Sequence, residues 1–323
     1  MSEDTRLITK RNRQINVVFK PSEAEQAIEK AEVRQLVHDT DTFSDIFREL
    51  DEMIGLEDVK ELVFQVYAML QVKKFRDEAG LQTGSQVYHM IFKGNPGTGK
   101  TTVARILGKM FKSMGFLSKG HMIEVERADL VGEYIGHTAL KTRELVKKAL
   151  GGVLFIDEAY SLARGGDKDF GKEAIDCLVK SMEDYKNDFI LILAGYPTEI
   201  ENFLLTNPGL PSRFPIQVEF PDYTVQQLIK IANKLAVEKD YVITSDGIIK
   251  IRERLNQEVF SLNFSNARFV RNLIEKAIRH QAVRIVRKSA PPTKQDLINL
   301  ISEDFVMDEE IQASKLDKFS KFA

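Results

Sequence analysis

Cysteine is almost missing: Cys177 is the single one in 323 residues. One thiol excludes an intrachain disulfide and any metal site built on cysteines. Cys177 falls in a helical pattern with Ala174 and Leu178, where a small buried hydrophobe is the default reading. Long apolar runs are missing as well. No stretch approaches the roughly 18 residues that a membrane span requires, and residues 1–20 are polar, without the apolar segment of a secretory signal. A dominant charge is also missing. The 46 Lys and Arg face 48 Asp and Glu, a formal net charge of -2, so no global attraction to nucleic acid or an acidic membrane follows. The five histidines, His38, His89, His121, His137 and His280, include no i, i+4 pair of the kind that holds zinc on a helix. A reducing, cytoplasmic setting is the expectation that fits these absences.

What is present is a globular balance, 43% hydrophobic and 29% charged residues, in a chain long enough for one large or two modest domains. Residues 1–20 read as a loose arm, made basic by Arg6, Lys10, Arg11 and Arg13. Ser22 and Glu25 form a capping box that opens an acidic helix reaching His38, and a polar break over 39–42 follows. A helix over 57–79 stops at Gly80. Strands over 87–93, 121–126, 153–156, 189–194 and 216–220 then alternate with helices over 100–114, 138–150 and 172–185. Alternation of this kind predicts an α/β fold, a parallel sheet with helices on both faces. After Pro221 the strands stop, and helical stretches over 224–239, 245–258, 266–288 and 293–301 predict an all-α region.

Gly94-Asn95-Pro96-Gly97-Thr98-Gly99-Lys100-Thr101, followed by Thr102, matches the phosphate-binding pattern G-x-x-x-x-G-K-[ST]. Its glycines let the backbone wrap a phosphate, and its N–H groups point inward at the start of a helix. Lys100 reaches the β- and γ-phosphates, and Thr101 ligates magnesium. The strand before it and the helix after it are the required context; without them the pattern is only a glycine-rich turn. Val153-Leu154-Phe155-Ile156-Asp157-Glu158 is an apolar strand that ends in two carboxylates. Asp157 suits the magnesium edge of the loop, and Glu158 suits orienting and activating a water. Alone, the two acids would be strand-end caps. Together with the loop they predict magnesium-dependent hydrolysis of ATP.

With these motifs in place, the chain resembles the AAA+ ATPases, and within them the CbxX/CfqX group. That group includes red-type Rubisco activases and a sporulation protein. The likeness lies in Gly55-Leu56-Glu57-Asp58-Val59-Lys60, in Asp129-Leu130-Val131-Gly132-Glu133-Tyr134-Ile135-Gly136-His137-Thr138, in Asp157-Glu158-Ala159-Tyr160, in Ala194-Gly195-Tyr196 and in Asn266-Ala267-Arg268-Phe269-Val270-Arg271-Asn272. It covers residues 45–300, and the N-terminal extension favours the sporulation member over an activase. The resemblance implies a P-loop NTPase domain over 45–221, a helical lid with a tail over 222–323, and an arm and helix over 1–44. It implies that Gly55 and Leu56 flank the adenine, where an ordinary interhelix turn is the alternative. It implies that Arg213 is an arginine finger reaching a neighbouring subunit, where a salt bridge to a surface carboxylate is the alternative. Arg268 matches the sensor-2 arginine of the lid, and Arg271, one turn on, reads as structural. At the sensor-1 position the chain departs from the wider pattern: Tyr196 stands where Asn or Thr is usual, and packing is an equal reading for it. Tyr134, between glycines, matches an aromatic that grips polypeptide in a central pore, and an aromatic folded into the core is the alternative.

The resemblance implies a homo-oligomer, expected to be a hexamer, that remodels an unknown protein partner with a role in sporulation. An ATP-driven switch or scaffold without threading is the second reading. A DNA-loading relative is the third, suggested by the basic arm and by Arg279, Arg284, Arg287 and Lys288, although such charges on one helix are usually a solvated face. No Asn-Lys-x-Asp base-reading motif supports a GTPase, and neither a nucleic-acid nor a membrane partner is expected.

Overall fold

The computed structural model describes residues 8–9, 15–16, 41–84, 86–134, 136–165, 170–259, 261, 264–288 and 290–306. The helix read over 22–38 lies outside them. The chain divides into two units, 1–48 and 49–323. In the first, β1 (Ile8–Thr9) and β2 (Ile15–Asn16) pair antiparallel within the stretch expected to be a loose arm. Helix α1 (Asp41–Asp51) begins inside the expected polar break, and Arg48 pairs with Asp45 one turn back at 3.1 Å.

The second unit holds the parallel sheet. Its strands are β3 (Met90–Gly94), β4 (Met122–Val125), β5 (Val153–Ile156), β6 (Ile190–Gly195) and β7 (Ile216–Phe220), in the order β4-β5-β6-β3-β7. Every pairing is parallel. Strands β3, β5 and β6 are buried at every position, which is why they read as continuous apolar runs rather than alternating ones. Alternate residues serve opposite faces. Leu154 and Ile156 join a cluster with Leu178, Met182 and Phe203. These come from α6 (Gly171–Asp184) and α7 (Pro197–Leu205). On the other face lies α3 (Lys100–Ser113), which buries Val103, Ile106, Leu107, Met110 and Phe111. Helices α2 (Glu57–Glu78), α4 (Arg127–Leu130), α5 (His137–Ala149) and α8 (Leu210–Arg213) complete the layers.

Thr224 caps α9 (Val225–Val237): its hydroxyl accepts from Gln227 N at 3.3 Å, and the Gln227 side chain accepts from Thr224 N at 2.8 Å. Helices α10 (Ser245–Glu258), α11 (Asn266–Arg287) and α12 (Lys294–Ile298) follow. The expectation that strands stop after Pro221 needs correction. β8 (Val242–Ile243) and β9 (Asn299–Leu300) pair in parallel, so the last expected helix ends early. Two-residue strands carry no periodicity to read. They form because Leu300 is buried and its carbonyl accepts from Thr244 N at 3.0 Å.

Candidate nucleotide-binding site

β3 delivers Gly94 to the carboxyl edge of the sheet, where open parallel sheets hold their ligands. The loop then turns into α3 through Gly97 and Gly99, with φ of 73° and 102°. Only glycine takes this left-handed region without strain. A Cβ on Gly97 would also lie 2.2 Å from Ser265 O and 2.8 Å from Arg268 N. The start of α11 therefore lies directly on the loop.

Lys100 is buried, and its Nζ donates to the carbonyls of Gly94 and Asn95, each at 2.8 Å. Burial pushes its ammonium below the usual lysine range. The carboxylate of Asp157 opposes that shift, Arg268 adds to it, and Asp222 and Glu158 oppose it. These groups thus feel one another's charge across the site. Asp157 Oδ1 accepts from Glu158 N at 2.9 Å, and Asp157 N donates to Val125 O at 3.1 Å. Glu158 has φ 46°, a conformation that costs a residue with a Cβ about 1–3 kcal/mol. It leaves the Glu158 side chain exposed at the end of a buried strand. Burial, and then the Glu158 charge, raise the Tyr160 hydroxyl to about 12, so it remains a protonated donor beside that carboxylate.

Gly94, Pro96, Gly97, Gly99, Lys100, Thr101, Thr102, Asp157, Glu158, Tyr196 and Arg268 line a single cleft of about 1130 Å³. That exceeds the roughly 300–1,000 Å³ typical of ligand pockets, so a nucleoside triphosphate has room. Among the described residues no three His, Cys, Asp or Glu side chains form a metal cage. The donors on offer are one hydroxyl and one carboxylate beside a phosphate seat, which suits magnesium, an ion that keeps water and phosphate ligands.

Other expected residues sit differently. Met53 and Ile54 line the cleft, whereas Gly55 and Leu56 do not. Leu56 is buried with φ 64°, against the backbone of Gly99. Arg271, read as structural, also lines the cleft. Tyr196 packs on the core and lines the cleft, its ring 6.1 Å from that of Tyr160. Arg213 is outside it: Nη1 donates to Gly209 O at 2.8 Å and Nη2 pairs with Glu183. Tyr134 is 65% exposed, its ring centroid 5.4 Å from that of His137, so it is not folded into the core. Cys177 is half-buried rather than buried. Of the basic cluster at the end of α11, Arg284 is paired with Asp304 at 2.8 Å, and Lys288, just past the helix, with Asp296 at 2.6 Å.

Sequence reasoning gave no role to Asp222, Tyr223 or Asn266. Asn266 has φ 47° and is fully buried. Its Oδ1 accepts from Tyr223 N at 3.0 Å, and its Nδ2 donates to Asp222 Oδ1 at 2.7 Å. Asp222 also accepts from Asn95 Nδ2 at 2.9 Å, and Tyr223 Oη donates to Thr98 O at 3.1 Å. Burial raises the Tyr223 hydroxyl to about 12, which keeps it a donor. The hints in the sequence are that Asp222 and Tyr223 stand where the sheet gives way to helices, and that Asn266 opens one of the stretches that carry the resemblance.

Residues 90–222 match the family model described as ATPase family associated with various cellular activities (AAA), and residues 224–315 match the AAA lid domain. The chain is 50% identical over 319 residues to stage V sporulation protein K of Bacillus subtilis, covering 94% of this chain and 97% of that one. It is 43% identical over 269 residues to a chloroplastic ribulose bisphosphate carboxylase/oxygenase activase of Cyanidioschyzon merolae, covering 81% and 88%. Protein CbbX of Cereibacter sphaeroides is 41% identical over 276 residues, covering 85% and 88%. Among solved structures, the FIGL-1 AAA domain superposes with TM-score 0.56 at 19% identity, over 83% of this chain and 88% of that one. A Thermotoga maritima RuvB Holliday junction branch migration motor superposes with TM-score 0.50 at 22% identity, over 77% and 69%. At these identities the two structures bear on the fold alone.

Proposed function

The chain belongs to the AAA family of ATPases, and from that premise we propose a ring-forming, hexameric enzyme that couples ATP hydrolysis to remodelling of a protein partner. It is an ATP hydrolase. The observation that carries the rest is the meeting of Lys100, Asp157, Glu158 and the lid residue Arg268 around one cleft. Lys100 would hold the β- and γ-phosphates. Thr101 and Asp157 would hold magnesium, which when bound neutralises charge on the phosphoryl group being transferred. Glu158 would orient a water and take its proton. Arg268 would ground the lid on phosphate from the same chain, and Met53 and Ile54, just before Gly55 and Leu56, would flank the adenine.

Arg213, which does not line its own cleft, is suited to complete the cleft of a neighbour. Exposed Tyr134 is suited to grip polypeptide. We assign residues 45–221 to the ATPase domain, 222–323 to the lid and tail, and 1–44 to an N-terminal arm and helix. A protein partner is preferred to nucleic acid because two cations of the α11 cluster already have carboxylate partners. The relative named for sporulation favours that process, and the relative named an activase favours a protein as what is remodelled. A cytoplasmic site of action completes the proposal; among the described residues no helix is long and apolar enough to cross a membrane.

Glu158→Gln is the test. Filter binding should show ATP retained, while phosphate release falls about 100-fold or more. In a pull-down held in ATP, the same variant should retain the remodelled protein. Turnover at the unaltered rate would remove Glu158 as the base.

A further inference from the structure

We propose that the lid and the linker before it orient the phosphate-binding N–H groups, with Asn266 and Tyr223 as positioning residues. The proposal rests on the nucleotide-site reading above and assigns two further residues to it.

The loop carbonyls fall into two sets. Those of Gly94 and Asn95 accept from Lys100 Nζ, within the loop's own turn, at 2.8 Å each. Those of Pro96, Gly97 and Thr98 are held from outside the loop. Asn266 Nδ2 donates to Pro96 O at 3.4 Å, Ala267 N to Gly97 O at 3.2 Å, and Tyr223 Oη to Thr98 O at 3.1 Å. Asn95 is tied to the same network through Asp222.

All described peptide bonds here are trans. In a planar trans peptide the C=O and the following N–H point in opposite directions. Holding the carbonyls of Pro96, Gly97 and Thr98 toward the lid therefore turns the N–H groups of Gly97, Thr98 and Gly99 the other way. Gly97 and Gly99 line the cleft where phosphate would sit. A loop with two left-handed glycines has many conformations open to it. Fixing three consecutive peptides from outside removes that freedom before nucleotide arrives, and preorganised donors bind more tightly than mobile ones.

Asn266 anchors the outer set. Its amide spends Oδ1 on Tyr223 N and Nδ2 on Asp222 and Pro96 O, so it ties linker, lid and loop at one point. Its φ of 47° allows a control. Glycine accepts this backbone without strain, so Asn266→Gly removes the amide and keeps the turn. Tyr223→Phe removes one hydroxyl and nothing else. A lid that swings would carry these anchors with it, so lid position and phosphate affinity are coupled through them.

The experiment measures binding of fluorescent ADP and ATP analogues, together with steady-state hydrolysis, in the full chain. Circular dichroism confirms that each variant is folded. Asn266→Gly should weaken both nucleotides about tenfold and Tyr223→Phe about threefold, the loss of a few buried hydrogen bonds. KM for ATP should rise by similar factors, with kcat at saturating ATP within about twofold of the unaltered chain. Folded variants that bind both nucleotides as the unaltered chain does would overturn the proposal. A fall in kcat at constant KM would also overturn it. Should Asn266→Gly not fold, Tyr223→Phe decides alone. An unaltered chain that binds neither nucleotide would overturn the site reading itself, and that outcome is visible without any variant.

Discussion

His89 is a buried base in an apolar layer. Its ring lies 5.6 Å from Phe189 and 6.2 Å from Phe214, and its Nδ1 accepts from Leu191 N at 3.0 Å. That bond requires an unprotonated Nδ1. Burial lowers the pKa from 6.5 to about 4. An unfolded chain takes up this proton near the ordinary value and the folded chain only near 4. The stabilisation is thus whole above pH 6.5 and is lost as pH falls toward 4. The loss is on the order of 3 kcal/mol at its limit. Urea melts from pH 4.5 to 7.5 should show this acid limb, and His89→Leu should flatten it while lowering stability at neutral pH, because Leu191 N loses its partner. Other residues differ in how plainly the sequence announces them. Lys100, Thr101, Asp157 and Glu158 stand in contiguous motifs whose spacing is itself the signal. Asp222, Tyr223 and Asn266 meet only after the lid has folded back on the loop, so their separation along the chain conceals them. The left-handed turns at Leu56, Glu158 and Asn266 are equally silent, because a side chain at positive φ goes against the preference that sequence reading relies on.

Three elements were legible to the residue. The strands Val153–Ile156 and Ile216–Phe220 and the helix Ser245–Glu258 run as expected. Apolar periodicity bounded by polar residues marks such ends. β3 starts later than its apolar pattern, at Met90, because pairing with β6 and β7 begins there. The β8–β9 pair was not legible. It depends on the turn Ser302–Phe305 packing against α10 and α11. One buried ion pair holds that turn. Arg284 grips Asp304 through Nε at 2.9 Å and Nη2 at 2.8 Å, and Asp304 is 1% exposed. The pairing raises the Arg284 pKa. Asp304→Asn leaves the guanidinium without its counter-charge, and denaturant melts should show a loss of about 3–5 kcal/mol. A loss below ~1 kcal/mol would place the pair in the class of surface bridges.

At the scale of the whole molecule, the AAA and lid models meet near residue 223, and the cleft lies where the two regions touch. Arg213 does not line that cleft; its guanidinium is held by Gly209 and Glu183. Arg213→Ala should abolish hydrolysis in a pure preparation. Mixed with Lys100→Ala, it should recover part of the rate, since intact fingers then face intact loops in some neighbours. Co-assembly without recovery would show that Arg213 serves only its own chain. The bond from Arg213 to Glu183 has one more consequence. Closing the proposed ring through this arginine would be an exchange reaction, in which one carboxylate is surrendered as another group is gained. Dissolved salt weakens the bond given up as well as the bond acquired. The ionic-strength dependence of assembly should therefore be shallower than a census of charges at the subunit boundary would suggest.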